Sequence, residues 1–102
     1  MSNIERWLTE AFPTWSWTVT GARDEATAHG RRDGHEPLRF DIRAYPDGKL
    51  SMWLDVKDSR FRGIGPDVKT CVAELLEHVT RTESAMKLYR SALRSMNAKA
   101  AR

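Results

Sequence analysis

The chain is short of most features that would name an activity. It has one cysteine in 102 residues, Cys71, so an internal disulfide and a zinc site built from several cysteines are both excluded. No apolar run approaches the roughly 18 residues of a membrane-spanning helix. No signal peptide is recognisable either, which sets the expectation of a cytosolic protein. Charge of one sign is lacking as well: 17 Lys and Arg stand against 14 Asp and Glu, a net charge of +3 and a mild basic bias rather than a polycationic arm. There are no internal repeats. No serine, cysteine or lysine has a recognisable base beside it, and neither "GRRDG" nor "GIG" has a phosphate-loop pattern. The expectation is therefore a non-enzymatic protein with no cofactor.

Metal chemistry is thinly represented. His29 and His35 lie near Asp33 and Glu36, but in a stretch with no period to hold them in a fixed geometry, so no metal site is expected. His78 sits beside Glu74 and Glu77 on a helical pattern and reads as solvated. Cys71 lies among Val68, Val72 and Leu75, where a thiol serves as a small core hydrophobe.

What is present suits one small folded domain. The hydrophobic share of 40% and four tryptophans are enough for a core. Ile4, Trp7, Leu8, Ala11 and Phe12 recur at helical spacing, Ser2 and Glu5 have capping-box spacing, and Pro13 stops a helix expected over 2–12. Trp15, Trp17 and Val19 then alternate with Ser16, Thr18 and Thr20, the pattern of a half-buried strand. Residues 21–36, with three glycines and no clear period, read as a long loop or a frayed hairpin tip.

A hairpin follows, and its turn sets its register. With Asp47 and Gly48 alone as the loop, every apolar residue would oppose a polar one. A three-residue loop, Pro46-Asp47-Gly48, with Gly48 at positive φ, pairs Tyr45 with Lys49 instead. Ala44–Leu50, Ile42–Met52, Phe40–Leu54 and Leu38–Val56 then share the buried face, while Arg43 faces Ser51, Asp41 faces Trp53 and Arg39 faces Asp55. The sheet is expected over 15–57. Residues 58–65 read as a link, with Phe61 and Ile64 tucked under the edge of the core.

Trp53 is thereby an aromatic on a polar face, diagonal to both Arg39 and Arg43. Together with Tyr45 and Lys57 these residues make a candidate platform of the kind that anchors a protein partner or stacks a base. The alternatives are a cation–π lattice that stiffens the sheet, at about 0.5–1 kcal/mol per contact, or burial of Trp53 beneath the C-terminal segment. Asp41 and Asp55 on the same face read as ion-pair partners of the arginines rather than as an acid–base pair.

The C-terminal helical region spans 66–98. Pro66 suits a first helical turn, and Val68, Val72, Leu75, Leu76 and Val79 make an apolar stripe that continues through Met86 and Leu93. A continuous helix over 67–97 would run about 46 Å, longer than a domain of this size, which is about 30–35 Å across. Either it overhangs and finds a partner, or it breaks near Thr80–Ser84, where Thr80 and Glu83 have capping-box spacing. Val79, Met86, Tyr89, Leu93 and Met96 then read as core, or, if the helix overhangs, as a two-fold dimer seam. From Arg81 onward six Lys and Arg face one acid, Glu83, and Lys87, Arg90 and Arg94 form one helical stripe, either the solvated side of an amphipathic helix or a contact for phosphates or an acidic protein surface.

The element order α-β-β-β-α, with "LTE" in the first helix, "GHEPLRF" before the second strand and "GIGPDVK" opening the last helix, resembles the double-stranded-RNA-binding domain. Carried over, that resemblance implies RNA contacts at Glu10, His35 and Lys69. It departs from the family in having Asp67 and Val68 before a lone Lys69 where the family carries a lysine cluster, and in the length of the loop before His35. In size and lack of catalytic machinery the chain is also similar to small phage and mobile-element proteins, anti-CRISPR inhibitors among them, which implies occlusion of a nucleoprotein machine. The expectation is an α+β domain, a three-stranded antiparallel meander on an N-terminal helix and a long or broken C-terminal helix, that binds a protein partner. Direct nucleic-acid binding and homodimerisation are the alternatives.

Overall fold

The computed structural model describes residues 3–22, 24–56, 59–80 and 87–97. In chain order the elements are helix α1 (Asn3–Ala11), strands β1 (Ser16–Gly21), β2 (Glu25–Arg31), β3 (Leu38–Ala44), β4 (Leu50–Val56) and β5 (Ser59–Gly65), and helices α2 (Val68–Thr80) and α3 (Lys87–Asn97). The strands form one antiparallel sheet in the order β1-β2-β3-β4-β5. The fold is α+β, as expected, but the sheet has five strands rather than three.

Both unexpected strands hide behind small residues. In β2, Ala26, Ala28 and Gly30 point inward and are buried, while Glu25, Thr27, His29 and Arg31 point outward. The alternation is regular, but alanine and glycine carry little strand propensity and hardly register as an apolar face. They are small because bulky neighbours fill the space: a Cβ at Gly30 would lie 2.7 Å from the Trp17 indole. The 21–36 segment is thus a paired strand, and its loop is confined to 32–37. In β5, Gly63 and Gly65 face inward beside half-buried Phe61, and Ile64 faces out, 37% exposed, instead of tucking under the core.

α1 carries Ile4 and Leu8 into the core, and Phe12 follows them just past its end. The expected cap, Ser2, lies outside the described residues. Trp15 and Trp17 extend this wall. Trp17 lies 6.1 Å from Phe12 and 6.2 Å from Phe40, ring centre to ring centre, and its indole N–H donates to the Phe12 carbonyl at 3.4 Å. The β3–β4 hairpin has the register its turn demands, from Ala44 opposite Leu50 to Phe40 opposite Leu54. Tyr45 N–H donates to the Lys49 carbonyl, and Gly48 adopts φ +91°.

α2 lies against β5 and β4. Asp67 caps it, its carboxylate accepting the Thr70 N–H at 2.8 Å, so Pro66 stands outside the first turn rather than within it. The Thr70 N–H and hydroxyl hold the Asp67 carboxyl below its usual value of 3.8, assisted by Lys69 and opposed by a little desolvation. Cys71 is fully buried and its thiol donates to the Leu50 carbonyl; burial, with Asp67 and Glu74 nearby, pushes it up to about 12.

The C-terminal region is two helices, not one of about 46 Å, which would exceed the 36 Å longest dimension of the domain. The expected cap partner Glu83 and the seam residue Met86 lie outside the described residues. α3 packs on α2. Val79, Leu93 and Met96, candidate dimer-seam residues, are buried in the chain's own core, the other role open to them, and Tyr89 is half-buried against it.

Two stability measurements follow. A Cβ at Gly63 would sit 2.0 Å from the Cys71 carbonyl oxygen, so Gly63→Ala must push α2 off the sheet. It should cost about 3 kcal/mol, against about 1–2 kcal/mol for Gly48→Ala, which strains φ but meets open space. Urea midpoints should separate the two; equal midpoints would mean that α2 does not rest on the β5 backbone. For Asp67 the folded value is depressed, so its stabilisation is present above about pH 4 and fades as pH falls through and below 3.8. Asp67→Ala should therefore cost about 1 kcal/mol at neutral pH, and the gap from wild type should close at acid pH in a urea series.

Candidate functional site

Because all three helices of the described residues pack on the inner face, the outer face of the sheet carries no covering element among them. Strand alternation assigns its residues. The central row runs Thr20, Thr27, Asp41, Trp53, Arg62 across the five strands. Flanking it are Thr18, His29 and Arg39 with Asp55 and Arg60 on one side, and Glu25, Arg43, Ser51 and Ile64 on the other.

Asp41 is the hub. It accepts a hydrogen bond from Thr27 Oγ1 at 3.1 Å, pairs with Arg60 at 2.9 Å and stands 3.9 Å from Arg39. Arg60 also reaches Asp55 at 3.5 Å, and its guanidinium lies over the Trp53 ring, 5.6 Å from the centroid. Arg43 pairs with Glu25 at 3.3 Å and leans over Tyr45, 6.0 Å from its ring centre. Tyr45 itself turns onto this face, where Ser51 Oγ donates to its hydroxyl at 3.3 Å and Ser51 is fully buried. Thr20, Glu25, Thr27, Asp41, Arg43, Trp53 and Arg60 line an open hollow of about 440 Å³. Arg31 and Arg62 point to the same face with no ion-pair partner among the described residues.

The expected platform is present but differently wired. Trp53, Arg39, Arg43 and Tyr45 do share one face, with Trp53 half-buried and no described residue of the C-terminal segment over it. The cation over Trp53, however, is Arg60 and not Arg39 or Arg43. With β5 read as a link, sequence reasoning had no strand on that side of Trp53 to supply a diagonal neighbour. The alternation Arg60, Arg62, Ile64 against Phe61, Gly63, Gly65 was the available signal. Asp41 and Asp55 are ion-pair partners, as their setting implied. Lys57 lies outside the described residues.

The basic stripe of the last helix is separate. Arg90 is half-buried and Arg94 exposed on α3, which belongs to the helical layer on the other side of the sheet from Trp53; the Lys87 side chain lies outside the described set. Ser95 on α3 accepts a hydrogen bond from Arg32, just past the end of β2. Glu10 and Lys69 flank a cleft of about 430 Å³ beside Trp7 and Gly48, whereas His35 packs on Trp15 at the opposite end of β3, 5.9 Å between ring centres. The three residues implied by the RNA-binding resemblance thus do not converge, and the five-stranded sheet departs from that family's topology. Among the described residues no three His, Cys, Asp or Glu side chains gather as a metal site.

The Arg60–Trp53 contact is measurable. A double-mutant cycle of Arg60→Ala and Trp53→Ala, read by urea unfolding, should give a coupling of about 0.5–1 kcal/mol. Trp53→Ala alone should cost about 1–2 kcal/mol, since Trp53 is half-buried, and Arg60→Ala about 1 kcal/mol or less; a loss beyond about 4 kcal/mol for Trp53→Ala would make it a core residue. Compared with protein-family models, curated proteins and solved structures, the chain finds no match.

Proposed function

We propose that this domain is a non-enzymatic protein-binding module whose contact surface is the outer sheet face centred on Trp53. The observation that carries the reading is a half-buried tryptophan and a half-buried tyrosine, each beneath an arginine, on a sheet face that no other described element covers. Tryptophan, tyrosine and arginine are the residues that dominate protein hot spots. Arg39, Asp41, Asp55 and Glu25 hold those side chains in one geometry, which reduces the ordering cost on binding.

The charge pattern favours a protein over a nucleic acid. Glu25, Asp41 and Asp55 already engage Arg43, Arg39 and Arg60, so phosphates would have to displace carboxylates from the middle of the face. Arg31 and Arg62 are left to steer an acidic rim. Inhibition by occluding a surface on a nucleoprotein machine, implied by the likeness to small phage proteins, is the specific form this binding would take.

The test is affinity capture from the native host with wild type, Trp53→Ala, Arg62→Glu and, as a far-side control, Lys69→Ala. A partner retained by wild type and Lys69→Ala but lost by the two face variants is expected. In parallel, fluorescence anisotropy against single- and double-stranded oligonucleotides at about 50 mM salt should show no binding, because phosphate contacts are strongest there. Salt-sensitive oligonucleotide binding abolished by Arg62→Glu would replace this reading with a nucleic-acid-binding one.

A further inference from the structure

The two edges of the sheet are treated differently. On β5 the outward-pointing N–H of Ile64 is capped by the Glu74 carboxylate at 3.1 Å, and Arg60 and Arg62 charge that edge. Capping and charge are the usual devices that keep an edge from pairing with another chain. β1 has neither. Its six residues, Ser16–Gly21, contain no charge and no proline, and all of them pair in regular register with β2.

The hydrogen-bond phase of β1 follows from its neighbours. Ala22 N–H donates to the Glu25 carbonyl at 2.9 Å, so the even-numbered residues Thr20, Thr18 and Ser16 turn their backbone groups toward β2. Those of Trp17 and Val19 therefore point away from the sheet, and no group among the described residues bonds to them. The side chains of Trp17 and Val19 are half-buried on the inner face, while Ser16, Thr18 and Thr20 are exposed on the outer one.

We infer that β1 pairs antiparallel with β1 of a second copy, about a two-fold axis at Thr18, joining two sheets into one. The phase permits this register: with Thr18 opposite Thr18, the backbone groups of Trp17 face those of Val19 in the second copy, and each such pair exchanges both of its hydrogen bonds. The side chains match in the same register. On the inner face the Trp17 indole leans over Gly30 toward Phe40 and so leaves the edge clear for Val19 of the second copy, while Ser16 meets Thr20 on the outer face. No like charges oppose each other anywhere along the strand. A foreign strand would need its own reason to fit this edge; a second copy has the complement built in. The seam leaves the Trp53 surface free and is independent of the function proposed above.

Light scattering over increasing concentration tests the inference. Wild type should rise from 11.7 kDa toward twice that mass by about 1 mM chain. Thr18→Lys and Thr18→Glu, which place like charges face to face at the axis, should each remain at the monomer mass. An equimolar mixture of the two should recover the dimer, which also shows that both variants fold. Ile64→Lys, the corresponding change on the β5 edge, should leave the wild-type behaviour intact. A wild-type monomer at the highest concentration overturns the inference. So does a dimer that survives both Thr18 changes, or one abolished by Ile64→Lys alone.

Discussion

α2 rests directly on backbone. At Gly63 a single added carbon would lie 2.0 Å from the Cys71 carbonyl oxygen, and at Gly65 one would lie 2.6 Å from Thr70. Helix and strand approach this closely only because β5 presents glycines inward and α2 presents Cys71, a small side chain, to Leu50. That approach fixes the height of the helical layer. Val68, Val72, Leu75 and Val79 then reach the sheet, and α3 closes over them through Ala92, Leu93 and Met96. The same placement brings Glu74 to the Ile64 N–H, so one contact both seats the helix and seals the edge of the sheet.

Seating the described helices on one face leaves the other without a cover among the described residues, and the outer residues are chosen accordingly. Its charges interleave, with Asp41 joined to Thr27, Arg39 and Arg60, so the face is held by pairs rather than left as a field of one sign. Surface ion pairs of this kind add little stability individually. What they do is orient: Arg60 is held over Trp53 and Arg43 over Tyr45. The bare face and the unsealed β1 edge are thus distinct surfaces with distinct chemistry, one charged and aromatic, the other uncharged backbone.

How legible this was depended on side-chain size. The β3–β4 hairpin could be read to the residue, because large apolar side chains alternate on both strands and only a three-residue turn with Gly48 at positive φ pairs them. β2 and β5 could not, although their alternation is as regular. Their inner faces are mostly alanine and glycine, with Phe61 of β5 the one large side chain, and such residues mark a strand only when one knows that Trp17 or α2 occupies the space above them. Missing β5 carried over to the site, since Arg60 enters the Trp53 platform from that strand. It also made the element order resemble a double-stranded-RNA-binding domain, a likeness that five strands remove.

The sequence by itself determined the α+β class, the half-buried character of Trp15–Thr20, the register that sets Asp41 opposite Trp53, and the core role of Cys71. These follow from local periodicity and turn chemistry, which act over a few residues. Tertiary structure alone decided which arginine covers Trp53, whether Val79, Leu93 and Met96 serve the core or a partner, and which sheet edge is sealed. Each of those depends on residues distant in the chain: Arg60 stands 19 positions from its partner Asp41, and Glu74 stands 10 from Ile64. Small residues permit such contacts by leaving space, and a space is visible only once something fills it.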